Sequence, residues 1–135
     1  MQFTTIALFL VKMTNYKFYN RNPDGDKEND CVTRAISLAT DLPYTEVRKM
    51  LFHTAKLLNC EKLCVMCYKF LIEDVLKGKR VNCDGMYPID FAKKHPYGTY
   101  LLRMNGHIVC CKNGTIYDIF DSRYMDFLTD AWRIQ

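Results

Sequence analysis

Residues 97–120 read YGTYLLRM, Asn105-Gly106, HIVCCK, Asn113-Gly114, TIYDIF. Three short runs rich in aromatic and β-branched residues, separated by Asn-Gly pairs, predict an antiparallel meander, because Asn and Gly tolerate the positive φ angles of tight hairpin turns. With Asn113-Gly114 as a two-residue turn, Cys111 faces Ile116, Val109 faces Asp118 and His107 faces Phe120, with Asp121 just beyond the ladder. A terminal strand around residues 131–134 extends this sheet.

Upstream the period changes from strand-like to helical. Residues 20–30, NRNPDGDKEND, concentrate turn and cap formers and predict a loop. The loop ends in Asn29-Asp30, and Val32, Ala35, Ile36 and Ala39 follow at helical spacing, so Cys31 opens a helix. After Pro43, the three- and four-residue steps of Val47, Met50, Leu51, Ala55 and Leu58 predict a second amphipathic helix over Tyr44–Leu58. A third runs through Leu63, Met66, Phe70 and Leu71 towards Gly78, and residues 89–94 suit one or two helical turns before His95-Pro96. Helices first and sheet second make an α+β domain. We place it at residues 13–135. Residues 1–12 read as an upstream extension or an edge strand.

The chain's 135 residues suffice for one core, and 49% hydrophobic with 25% charged residues excludes a disordered or fibrous class. A formal net charge of +4 without a basic stripe or a base-reading motif argues against a nucleic-acid partner. The apolar run TTIALFLV lacks a basic leader and is too short to span a bilayer, so no membrane partner is expected. Seven cysteines, an odd number without a secretion signal, fit a reducing cytoplasm. The oligomeric state leaves no signal.

Thiolates need stabilisation, which the first turn of a helix supplies through unpaired backbone N–H groups and the positive end of the dipole. Cys31 has that location. His107, opening a strand straight after a tight turn, can place its imidazole against a helix terminus as base and later as acid. Asp118 shares the histidine's sheet face diagonally, whereas Asp121, at the strand end, can turn back onto the ring. Asp121 is the preferred third residue and Asp118 the alternative. Cys60, Cys64 and Cys67 fall at core spacing on one predicted helix face, and zinc held by them with Cys83 would need unusual geometry. We therefore expect no metal and no cofactor. Adjacent Cys110 and Cys111 should pack on opposite faces of a strand, and Lys77, Lys79 and Arg80 should form a solvated helix end.

The order Cys, His, Asp, with a cysteine opening the first helix and a histidine opening a hairpin whose return strand supplies an acid, resembles the papain-like cysteine-peptidase superfamily. NDCVTRAIS, in which Cys31 is followed by Arg34 and Ala35, is similar to the Asp-Gly-Asn-Cys-Leu-Phe-Arg-Ala motif of ovarian-tumour-type deubiquitinases. Asp121-Ser122 lies where papain has an Asn-Ser pair, and GHIVCCKNGTIYDIFDSR resembles small proteins of bacteria and their phages. The resemblance implies a papain-like fold and a thiol hydrolase, a cysteine peptidase or isopeptidase acting on a peptide or protein through Cys31, His107 and Asp121. Gly25 stands where papain's oxyanion glutamine would fall, which leaves the Cys31 backbone N–H and the Asn29 side chain as oxyanion donors. The rival reading is a papain-like scaffold that binds a host partner without turnover.

Overall fold

Cys31 opens its helix as the local pattern demands, but the residue in front of it does not cap it. The computed structural model describes residues 15–25 and 29–134, and the expectation for residues 1–12 lies outside them. In chain order the elements are strand β1 (Tyr16–Phe18), helices α1 (Cys31–Thr40), α2 (Tyr44–Leu58) and α3 (Val65–Phe70), strand β2 (Lys79–Arg80) and helix α4 (Pro88–Lys94). Strands β3 (Thr99–Met104), β4 (His107–Lys112), β5 (Thr115–Asp118) and β6 (Leu128–Arg133) follow. The described residues thus form a mixed α+β structure of four helices and one six-stranded sheet.

Asp30 occupies the N-cap position of α1 without a side-chain hydrogen bond to the helix. Its carboxylate is committed elsewhere, to Arg34, Tyr44 and Asn22. The helix ends at Asp41 in the left-handed region, φ 61°, two residues before Pro43. Helix α3 starts only at Val65 and continues into a π turn over Leu71–Val75. Cys60 and Cys64 therefore precede it rather than sharing its face with Cys67, which corrects the expected single helix. The chain needs its glycine at Gly78, where an added Cβ would lie 2.9 Å from Ile72 Cγ2.

The sheet order is β1-β5-β4-β3-β6-β2. The hairpin register is the one the two-residue turn implies: Cys111 pairs with Ile116 and Lys112 with Thr115. Asn113 and Gly114 both take positive φ, 50° and 74°. In the Asn105-Gly106 turn only Gly106 does, at 76°. Strand β6 begins earlier than expected, at Leu128, and pairs antiparallel with β3. Strand β1 joins the opposite side, parallel to β5, a long-range pairing that no local pattern announces. Lys79 and Arg80 form an edge strand on β6, not a solvated helix end, and Arg80 is drawn there by Glu73 and Asp130 at 2.8 and 2.7 Å.

The sheet carries a core on each face. Leu101, Ile108, Cys110 and Trp132 meet Val32, Ile36, Leu51 and Ile72 of the helices. Leu102, Val109, Cys111 and Ile116 pack with Phe91 and Ala92 of α4. Cys110 and Cys111 serve opposite faces because strand side chains alternate. Trp132 is fully buried, with its indole N–H donating to Glu73 Oε2 at 2.8 Å. No helix among the described residues is long and apolar enough to cross a membrane.

Candidate active site

Helix α1 packs on β4, which brings its first residue, Cys31, against the first residue of the strand, His107. The His107 ring stands close enough to the Cys31 sulfur for each to act on the other's ionisation, and the Ile108 backbone N–H acts on the same sulfur. The other side of the ring is fixed: His107 Nε2 lies 2.7 Å from Asp118 Oδ2. An imidazole has two nitrogens. With Nε2 on Asp118, the nitrogen facing Cys31 is Nδ1.

Asp118 is 2% exposed and its carboxylate accepts four hydrogen bonds. Oδ2 takes His107 Nε2 and the Ser122 hydroxyl at 2.8 Å, while Oδ1 takes the Ile119 backbone N–H at 2.8 Å and Arg34 Nη1 at 3.1 Å. Burial alone would raise the carboxyl's pKa, but His107, Ser122 and Ile119 together hold it below the ordinary aspartate value. An anion so fixed orients the imidazole and favours its protonated form.

The structure does not bring Asp121 to His107. After β5 ends at Asp118, the chain turns outward, and the exposed Asp121 carboxylate forms a two-pronged pair with Arg123, Nε to Oδ1 at 2.9 Å and Nη2 to Oδ2 at 2.8 Å. The acid that orients the ring is Asp118, the alternative, because a rigid strand holds it diagonally to His107 on the same face. The corrected constellation is Cys31, His107 and Asp118.

Electrostatics separate Cys31 from the other thiols. Burial works against its ionisation, but the hydrogen bond and charge of His107, the Ile108 backbone hydrogen bond and the Arg34 charge hold its pKa below the ordinary thiol value. His107 is lifted from 6.5 to about 9, against the burial that disfavours its charge, by Asp118 and Cys31. The two shifts favour a thiolate–imidazolium pair. Burial raises Cys60, Cys67, Cys83, Cys110 and Cys111 instead. Cys67 Sγ lies 3.6 Å from the Leu51 carbonyl. Among the described residues no group of three or more His, Cys, Asp or Glu is arranged to hold a metal ion.

Cys31 and His107 open onto a cleft of about 260 Å³ lined by Asn29, Val32, Leu63, Val65, Tyr68, Arg103, Asn105 and Gly106. One wall is apolar and comes from the segment leading into α3, and the other is the β3–β4 turn. Asn29, exposed and two residues before Cys31, is among the residues that line this cleft. Phe120 stacks on the His107 ring, centroids 5.1 Å apart, and covers its outer face.

Two partners escaped sequence reasoning. Arg34 was visible only as part of a motif, and Tyr44 only as a helix start; neither carries a local sign that it meets Asp30. Phe120 was legible in the register, which, carried past the end of β5, sets it against His107, where its ring is found. The chain matches no protein-family model, no curated protein and no solved structure.

Proposed function

We propose that this protein is a papain-like thiol hydrolase, a cysteine peptidase or isopeptidase acting on a peptide or protein substrate in a reducing compartment. The observation that carries the reading is the line Cys31–His107–Asp118, with a thiol pulled down and an imidazole pushed up, opening onto a cleft.

In this mechanism the Cys31 thiolate attacks the carbonyl carbon of an amide or ester held in the cleft. The carbonyl oxygen gains the electron pair and is met by the Cys31 backbone N–H, one of the unpaired donors of the first helical turn, and by the Asn29 amide. When the tetrahedral species collapses, the C–N or C–O bond breaks and His107 Nδ1 gives its proton to the leaving group. The neutral imidazole then takes a proton from water, whose oxygen attacks the thioester. The acid leaves, and thiolate and imidazolium are restored. Asp118 keeps Nδ1 aimed at Cys31 throughout and stays ionised.

The rival is a binding scaffold without turnover. It is favoured by one observation, that the side-chain amides lining the cleft belong to exposed residues, Asn29 and Asn105, not to buried and preorganised ones. A pH series of iodoacetamide labelling, read by peptide mass for each cysteine, tests the activation on which the hydrolase reading stands. Cys31 should label at pH values where the other six do not. Equal labelling of all seven would exclude the hydrolase.

A further inference from the structure

Arg34 sits one helical turn after Cys31 and divides its guanidinium between two acids. Nε donates to Asp30 Oδ1 at 2.6 Å and Nη1 to Asp118 Oδ1 at 3.1 Å. The three side chains are 8%, 9% and 2% exposed, so little water competes for these bonds. Asp30 immediately precedes the nucleophile, and its second oxygen is held by the Tyr44 hydroxyl at 2.6 Å and by Asn22 Nδ2 at 3.2 Å. The guanidinium therefore ties the turn of backbone that bears Cys31 to the carboxylate that holds His107.

We propose that Arg34 is a positioning residue of this site, which fastens the nucleophile's helix to the orienting acid and supplies the second buried cation of the constellation. The proposal rests on the hydrolase reading above. Without Arg34, Cys31 would lose one of the two cations whose charge favours its thiolate, and Asp118 would keep His107 as its one cationic partner among the groups bonded to its carboxylate. A lysine keeps the charge but not the planar fork that spans both acids. The charged groups around Cys31 are His107, Asp118, Asp30 and Arg34, with Arg103 lining the cleft and Arg21 lining a small pocket together with Cys31 and Arg34. Tyr19, Tyr44, Tyr68 and Tyr117 also lie close by.

The test measures the pH midpoint of iodoacetamide labelling at Cys31 in the full chain. Arg34→Met should raise the midpoint by about one unit, which is about a tenfold loss of labelling on the acid side. Arg34→Lys should bring it back towards wild type, a rescue that a merely structural role would not give. Because an unpaired Asp30 endangers folding, the same measurement is made on Asp30→Asn/Arg34→Met, where neutral groups replace the pair and the midpoint should rise as well. Asp30→Asn alone should leave it in place. A wild-type midpoint in whichever Arg34→Met protein melts cooperatively overturns the proposal and leaves the hydrolase reading standing. A wild-type Cys31 that labels like a free thiol overturns both.

Discussion

His107 Nε2 and Asp118 Oδ2 stand 2.7 Å apart inside the protein, with ring and carboxylate both under a tenth exposed. This bond decides which face of the imidazole meets Cys31. It also makes the acid a residue of the strand rather than of the turn beyond it.

The first prediction separates the two acids. His107→Ala should raise the labelling midpoint of Cys31 towards the free-thiol value near ~8.5, and Asp118→Asn should move it part of the way. Asp121→Asn should leave it unchanged, because its carboxylate is engaged with Arg123 at the surface. An effect from Asp121→Asn equal to that of Asp118→Asn would return the orienting role to the turn.

The second concerns stability against pH. The folded pKa of His107 is raised from 6.5 to about 9, so its contribution is complete below about 6.5 and is lost as pH rises through 9. Cys31 is lowered from 9.0, so its contribution is complete above 9 and is lost as pH falls through the folded value. Between the lowered Cys31 value and 9, one gains what the other gives up. The wild-type Tm should thus be insensitive to this pair there, whereas Cys31→Ala, which retains the Asp118 bond on His107, should lose stability steadily across that interval, on the order of 1 kcal/mol. Parallel melting curves for the two proteins, from pH 6.5 to 9, would contradict the ion pair.

A third follows from the acid side. The Asp118 pKa is held below the usual 3.8, so its stabilisation is present above about pH 3.8 and disappears as pH falls through the lowered value. The advantage in Tm of wild type over Asp118→Asn should be constant from pH 5 to 7 and narrow below pH 4. An advantage that widens on acidification would mean that Asp118 is protonated in the native state.

The cleft offers a fourth. Asp130, 7% exposed, takes Arg103 and Arg80, each at 2.7 Å, and Lys69 at 3.5 Å, while Arg103 also donates to the Tyr68 hydroxyl at 2.8 Å. Both Arg103 and Tyr68 line the cleft beside Cys31. Asp130→Ala should cost on the order of 2 kcal/mol in urea unfolding by leaving the partly buried Arg103 short of its anion. Under the proposed hydrolase function its effect on turnover should fall on KM more than on kcat, since no reacting group is touched. Unchanged stability would show that Thr129 and Tyr68 suffice to hold the guanidinium.

Much of this protein is written locally. The helical spacing after Asn29-Asp30, the Tyr44–Leu58 stripe and the two Asn-Gly turns are short-range signals, and the hairpin register follows from turn length alone, so Cys31 at a helix start and His107 at a strand start were legible. The same register held the better answer for the acid, because a side chain on a strand has a fixed address while one just past its end does not. Where Asp121 would turn depended on Arg123, and a surface ion pair gives no periodic sign. The meeting of α1 with β4, the parallel seat of β1 beside β5, the return of β6 to β3 and the Arg34 bridge from Asp30 to Asp118 join residues up to 102 positions apart. Such pairings are fixed by the burial of two apolar sheet faces and by the need of every buried charge for a partner, conditions that only the folded chain as a whole can satisfy.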